Sequence, residues 1–392
     1  GKDRSAILMA GHVADGVYWW HPKVGFTTST AYAATLPPWL QAHNAATLAK
    51  LQGQTLVWEA LDGKPRLMEA PGGVGRNILF GLPKTIKAGG EPISKAGLFQ
   101  ASPWYDATIL EAAEALIQGE KLGRGPRLDL LALGLSGTDY VGHRYGPGGP
   151  EMEDQLLRLD LLLEGFLKRL RARTPHALVV LTSDHACADF PERLQAEGKL
   201  PRDQAFRLDP KATVYAPLNA HLREAFQLKG DALLATGDPR NLSFNRETLA
   251  SSQVKLSDVV KAAQAWMQAR PFVLASIPTE ELARHSVDDL KGKDPEQLSM
   301  VDRLRLSLAP GKGGDLVTAF GPHILFIPLS FPATHGSPHD YDRHVPILVW
   351  GAGKARKVET PVSTVDILPS LAAYLGLDVP DPVDGVVRAF RP

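Results

Sequence analysis

The sequence predicts an α/β fold built around a largely parallel sheet. Two observations predict it. Short apolar runs recur along the chain, and amphipathic helical patterns lie between them. The runs at 6–10, 128–135, 177–182 and 345–350 read as buried strands, with 324–329 as a fifth. Continuous runs rich in Leu, Val and Ile suit a sheet covered on both faces.

The helices follow from periodicity. Between 152 and 170, apolar residues recur at Leu156, Leu159, Leu163, Phe166, Leu167 and Leu170, with charged residues between them. That pattern is an amphipathic helix lying on a sheet. A shorter one spans 109–117, and "STVDILPSLAAYLG" reads as a helix capped by Ser363 or Thr364 and stopped by Gly376. Strands alternating with helices argue for the parallel arrangement.

Residues 187–320 are patchier, with polar loop-like stretches and helical pieces near 256–270 and 279–290. They read as a cap inserted into a main domain formed by 1–186 and 321–392. The 11–105 region, rich in Gly, Pro and Trp, is expected to supply irregular structure around the site.

Composition narrows the function. Lys and Arg together number 43, as do Asp and Glu. A neutral chain offers no general argument for nucleic acid as a partner. No stretch approaches the ~20 apolar residues that span a bilayer. A single cysteine, Cys187, excludes an intrachain disulfide.

The chemistry gathers just past the apolar runs. "LDLLALGLSGTDYVGHRYGP" places Asp139 and His143 after the second run. "ALVVLTSDHA" ends in Asp184 and His185, and "HILFIPLSFPATHGSPHDYDRHVPI" carries His335. Ligands of open α/β sheets bind beyond the carboxyl ends of the strands. Oxygen and nitrogen donors without thiolate suit zinc or a similar transition metal. Two Asp and three His exceed what one catalytic zinc takes from protein, so two metals sharing the cluster is the simpler account. Metals ~3.5–4 Å apart clamp in-line displacement at phosphorus. Of the other histidines, His344 reads as structural where it enters a buried strand. His339 reads as a solvated loop residue, and His12 as a structural one near the first strand.

These motifs, with "STVDILPSLAAYLGL", resemble the alkaline phosphatase superfamily. The branch is the one holding PafA-type alkaline phosphatases and type I phosphodiesterases/nucleotide pyrophosphatases. The resemblance implies a three-layer α/β/α sandwich with two zinc ions. Asp139, His143 and His335 would hold one ion, and Asp184 and His185 would contribute to the other. The opening "GKDRSAILMAGH" is similar to the PafA-type monoesterases, which implies that Lys2 and Arg4 bind phosphoryl oxygens. On an extended segment, residues i and i+2 face the same way.

The resemblance begins partway through the family pattern. Its first strand, an Asp ligand for the second metal and a Thr or Ser nucleophile are expected upstream of Gly1, because Thr138 and Ser183 read as turn hydroxyls. The expected activity is zinc-dependent hydrolysis of small phosphate monoesters through a covalent phospho-enzyme, in a periplasmic or secreted protein. A phosphodiesterase or nucleotide pyrophosphatase, and a non-catalytic binding protein, are the alternatives.

Overall fold

The computed structural model describes every residue except 53, 70, 76–77, 88–96, 235–237, 309–312, 380 and 390–392. The chain divides into two units, Gly1–Ala177 with Leu329–Thr334, and Leu178–Pro328 with His335–Pro392.

The first unit is helical, with small antiparallel ribbons. Helix α1 (Asp3–Ala10) precedes the hairpin of β1 (Trp19–His21) and β2 (Gly25–Thr27), and α2 (Pro38–Leu51) follows. Strands β3 (Thr55–Trp58) and β6 (Lys84–Lys87) pair, as do β4 (Arg66–Leu67) and β5 (Gly81–Leu82). Helices α3 (Pro103–Gly119), α4 (Gly137–Tyr145) and α5 (Pro150–Arg173) complete it. Trp20, Phe26, Leu40, Phe99 and Tyr105 form one buried cluster. Leu110, Ala113 and Ile117 of α3 meet Phe166 of α5 in another.

Helix α5 also enters the interior through charge. Glu151 is fully buried, and its Oε1 accepts from the Lys84 ammonium and from the Gly81 N–H, both at 2.6 Å. The ammonium lies 3.6 Å from the centre of the Tyr145 ring. Burial pulls the Lys84 ammonium down to about 8, with Glu151 opposing that fall. Lys84 thus ties together a strand, the last residue of α4 and the first turn of α5.

The second unit opens with β7 (Val179–Leu181), α6 (Pro191–Ala196) and α7 (Ala216–Phe226). Strands β8 (Leu233–Leu234) and β9 (Asn241–Phe244), helices α8 (Arg246–Ser251) and α9 (Leu256–Gln268), and β10 (Val273–Pro278) follow. Then come α10 (Thr279–Ala283), α11 (Met300–Leu306), β11 (Leu316–Phe320), α12 (Asp340–Arg343), β12 (Leu348–Trp350) and α13 (Ile367–Leu375). The order β10-β11-β9-β8 makes a four-stranded antiparallel sheet. Every residue of β11 is buried. Its alternate side chains explain why. Leu316 and Phe320 join Leu218 and Val259 of α7 and α9, while Val317 and Ala319 join Leu282 and Leu304 of α10 and α11.

Several expectations are corrected. Residues 6–10 lie in helix α1, not a strand, and α1 buries no residue. An Ala, Leu and Met run satisfies a helix as readily as a strand, and Gly11 ends it with a positive φ of 62°. Residues 128–135 form no strand ladder among the described residues. Their burial alternates: Leu131, Leu133 and Leu135 pack on the α3–α5 cluster, while Leu128 and Leu130 are 62% and 88% exposed. An apolar run reports burial, but a strand also needs a partner. Residues 324–329 give only an isolated parallel bridge, Arg207 to Leu325. The strand ladders among the described residues are antiparallel, including β12 on β7, where a largely parallel sheet was expected. Apolar content carries no information on strand direction. The end of the C-terminal helix fits its reading, since Gly376 closes α13 in the left-handed region, but its start differs. Ser363 stands at the N-cap of a 3₁₀ turn, Thr364–Asp366, where the Asp366 carboxylate accepts from Ser363 N–H at 3.3 Å, and α13 itself begins after Asp366.

Replacing Glu151 by Ala leaves a buried ammonium without its carboxylate and is expected to cost about 3–5 kcal/mol. The urea midpoint measures it. The double change Lys84→Met with Glu151→Leu is expected to cost much less, and equal losses would refute this account of the pair.

Candidate metal centre

The first unit carries Asp139 and His143, and the second carries Asp184, His185 and His335. In the first unit, α4 places Asp139 and His143 one turn apart on the same face. The Nε2 of His143 lies 3.5 Å from Oδ1 of Asp139. Two ligands of a tetrahedral zinc, each at about 2.0–2.1 Å, are separated by about 3.3 Å, so this pair fits one ion. The other ring nitrogen of His143 is 3.0 Å from the Ala333 carbonyl. A carbonyl can only accept, so Nδ1 is the donor in this contact, and a neutral ring then has its lone pair at Nε2. A ligating histidine held from behind by a carbonyl is the usual outer support of a metal site.

The start of α4 is held from another helix. Ser136 occupies the N-cap without capping through its own side chain. Instead Asp106 of α3, fully buried, accepts from Gly137 N–H at 2.8 Å and from Gln155 Nε2 at 2.9 Å. Glycine is required at 137, since a Cβ there would lie 2.7 Å from Asp106 Oδ2. Burial pushes the Asp106 carboxyl up to about 6, against the N–H groups of Gly137 and Thr138 and the Gln155 amide, which favour its charge.

Lys2 joins this group. Its backbone N–H donates to Ser136 Oγ at 3.1 Å, and its ammonium bonds Oδ2 of Asp139 and lies 4.5 Å from the Tyr140 ring centre. Arg4 sits on α1 and is exposed. The extended segment expected here is therefore corrected: Lys2 is extended, but Arg4 is helical. Successive helical residues turn by about 100°, so the alternation that would align the two cations does not apply.

In the second unit, Asp184 and His185 follow β7. The Nε2 of His185 is 3.7 Å from Asp184 Oδ2, and its Nδ1 is 3.0 Å from the Ala186 carbonyl, which again leaves Nε2 for a ligand. His335 stacks on His185, with ring centres 3.3 Å apart and planes 13° from parallel. Arg240 Nη1 donates to the His335 carbonyl at 3.0 Å, and Gly336, at φ 97°, lets the guanidinium approach. Oxygen and imidazole donors in both groups fit zinc.

Thr138 lies in the first turn of helix α4 rather than in a turn, and its Oγ1 accepts from Gln155 at 3.3 Å. Ser183, in the irregular segment after β7, donates its Oγ–H to the His185 carbonyl at 2.7 Å. The remaining histidines differ from their readings. His344 is exposed beside Glu296 rather than buried. His339 is half-buried and bonds the Phe320 carbonyl, and His12 is exposed. Asp106 and Gln155 were missed, because a cap from a distant helix leaves no local signal.

The sequence pattern described as type I phosphodiesterase / nucleotide pyrophosphatase matches residues 5–267. The chain belongs to this family. Its relatives place it in the PafA-type branch of the alkaline phosphatase superfamily. Alkaline phosphatase PhoK of Sphingomonas sp is 34% identical over 98% of this chain and 67% of its own length. Alkaline phosphatase PafA of Elizabethkingia meningoseptica is 30% identical over 97% of this chain and 68% of its own. The crystal structure of wild-type PafA superposes with a TM-score of 0.78 at 28% identity, covering 96% of this chain and 71% of that one. The fold is therefore α/β and alkaline-phosphatase-like. Against alkaline phosphatase PhoD of Zymomonas mobilis, the chain spans 63% of the relative's length. No helix among the described residues is long and apolar enough to cross a membrane.

A carboxyl raised on folding stabilises most below its unfolded value of 3.8, and that stability is lost as pH climbs through about 6. Asp106→Asn is expected to flatten the fall in unfolding free energy between pH 4 and 6. Urea midpoints across that range check it, and parallel profiles would count against the shift.

Proposed function

We propose that this chain carries the metal- and phosphate-binding part of a zinc-dependent phosphomonoesterase that works through a covalent phospho-enzyme. Asp139, His143 and His335 hold one zinc, and Asp184 and His185 contribute to a second. The observation that carries the reading is the Asp139–His143 pair, 3.5 Å apart with the His143 tautomer set by Ala333. It is supported by relatives named alkaline phosphatases that match nearly the whole chain.

Zinc, when bound, stabilises charge on phosphoryl and leaving oxygens and lowers the pKa of a coordinated hydroxyl or water. The protein's part is orientation. Ala333 holds His143 with its lone pair outward, and Asp106 holds the helix that presents both ligands. Lys2 brings a positive charge to the Asp139 carboxylate, where it meets a non-bridging oxygen of the substrate as a point charge. Arg4, exposed on α1, does not share that direction, so Lys2 carries the phosphoryl contact in this reading. A monoester dianion has more charge to neutralise than a diester, so an added cation favours monoesters. A Thr or Ser hydroxyl outside the assigned residues would attack phosphorus as the P–O ester bond breaks and the alcohol leaves, and water would then hydrolyse the phospho-enzyme to inorganic phosphate.

The test is turnover of an aryl phosphate monoester by the full-length protein before and after chelation. Activity is expected to vanish with the metal and return with zinc. Equal rates with and without metal would overturn the proposal. Lys2→Ala is expected to lower kcat/KM for the monoester by about 10²–10³-fold, the worth of one charge-stabilising donor, and to affect an aryl diester far less. An equal loss on both substrates would remove Lys2 from monoester selection.

A further inference from the structure

His185 and His335 come from segments far apart in sequence, yet their rings are stacked. Two rings on separate loops do not stay face to face without something holding both backbones. Both histidines are half-buried, and each loop is irregular.

One residue bonds both loops. Asp342, on α12, is 5% exposed. Its Oδ2 accepts from the N–H and the hydroxyl of Ser337, at 2.8 and 2.7 Å, two residues past His335. Its Oδ1 accepts from Ala188 N–H at 3.2 Å, three residues past His185. Its own carbonyl accepts from Ala186 N–H at 2.9 Å, directly after His185. The two carboxylate oxygens are thus divided, one per histidine loop. The helix that carries Asp342 is anchored in turn. Arg303 donates to the Pro338 carbonyl at 2.9 Å and pairs with Asp340 at 2.9 Å, and Arg343 donates to the Pro295 carbonyl at 3.0 Å.

We propose that Asp342 is a positioning residue that holds His185 and His335 as one preassembled pair of metal ligands. The proposal rests on the reading of those histidines as ligands. Outer groups that orient metal ligands contribute about 10–100-fold to metal affinity, because without them the loops must be ordered at the moment of binding. Charge on Asp342 matters, since it accepts three hydrogen bonds from donors on two loops. An amide cannot do this. Whichever way Asn is turned, its NH₂ faces a donor and one loop loses its acceptor.

The experiment is zinc titration of the full-length protein, stripped by chelation, in competition with a chromophoric chelator. Metal-free melting is followed alongside. Asp342→Asn is expected to raise the zinc Kd by about 10–100-fold. Asp366 is the control, a buried carboxylate of the same unit that bonds Val386, Arg388 and Ser363 and neither histidine loop. Asp366→Asn is expected to lower the metal-free melting temperature and leave the Kd within about twofold. If both variants weaken zinc equally, Asp342 acts only through general stability and the proposal fails. If Asp342→Asn binds zinc like the native protein while His335→Ala does not, positioning is refuted and the ligand reading stands. If His335→Ala also binds like the native protein, the ligand reading falls and takes the proposal with it. Should Asp342→Asn not fold, Ser337→Ala removes one donor and keeps the carboxylate. A severalfold weaker zinc Kd supports the proposal, and an unchanged one overturns it.

Discussion

The first N–H groups of α4 are satisfied by a carboxylate from another helix, and the site in the first unit depends on that contact. A helix start leaves its first N–H groups without intrahelical partners, and buried ones must find acceptors elsewhere. Ser136 stands at the cap but does not fill the role, so Asp106 does. Its reach fixes more than an end. With Gly137 pressed against the carboxylate, α4 can neither slide nor rotate without losing that bond. The direction of Asp139 and His143 follows, since they share a face of the same short helix. Tyr145, under the buried Lys84 ammonium, pins the opposite end.

Both units use buried carboxylates as clamps on backbone. Asp106, Asp154, Asp342 and Asp366 are each at most 5% exposed, and each accepts from backbone N–H groups. Taking a carboxylate out of water costs several kcal/mol unless donors replace the lost hydration. Donors fixed in backbone replace it best, because they need no side-chain ordering. The arrangement adds little net stability over an apolar contact. What it adds is geometry, because a hydrogen-bonded carboxylate tolerates few alternative positions for the segments it joins. Segments that must present ligands within fractions of an ångström gain most from that.

The sequence was legible wherever chemistry is local. Helix α5 followed from its apolar spacing, and the end of α13 from Gly376. The candidate ligands were legible because Asp and His sit at short, fixed distances within single motifs. What was not legible depended on partners. Residues 128–135 are apolar, but only half of them find cover, and no property of the run itself says which. The four-stranded sheet within 187–320 was missed because β8 and β9 are too short to show a period. Asp106 and Asp342 look like ordinary acidic residues in sequence. Their roles arise from donors that meet them only in the folded chain.

Asp139 shows how one carboxylate can serve two partners. Its Oδ1 is directed to His143 Nε2, and its Oδ2 is held by the Lys2 ammonium. If the carboxylate could offer both oxygens to one ion, it would bind that ion more strongly and neutralise more of its charge. With one oxygen committed to an ammonium, Asp139 has only the other to offer an ion. On the proposed reading, an ion held there would keep more of its positive field for a phosphoryl group, and the ammonium would stay beside it without a separate acidic partner. The division would weaken metal binding at that ligand and favour a dianion beside two positive charges. Lys2 is then the part of the arrangement that a site for metal alone would not need.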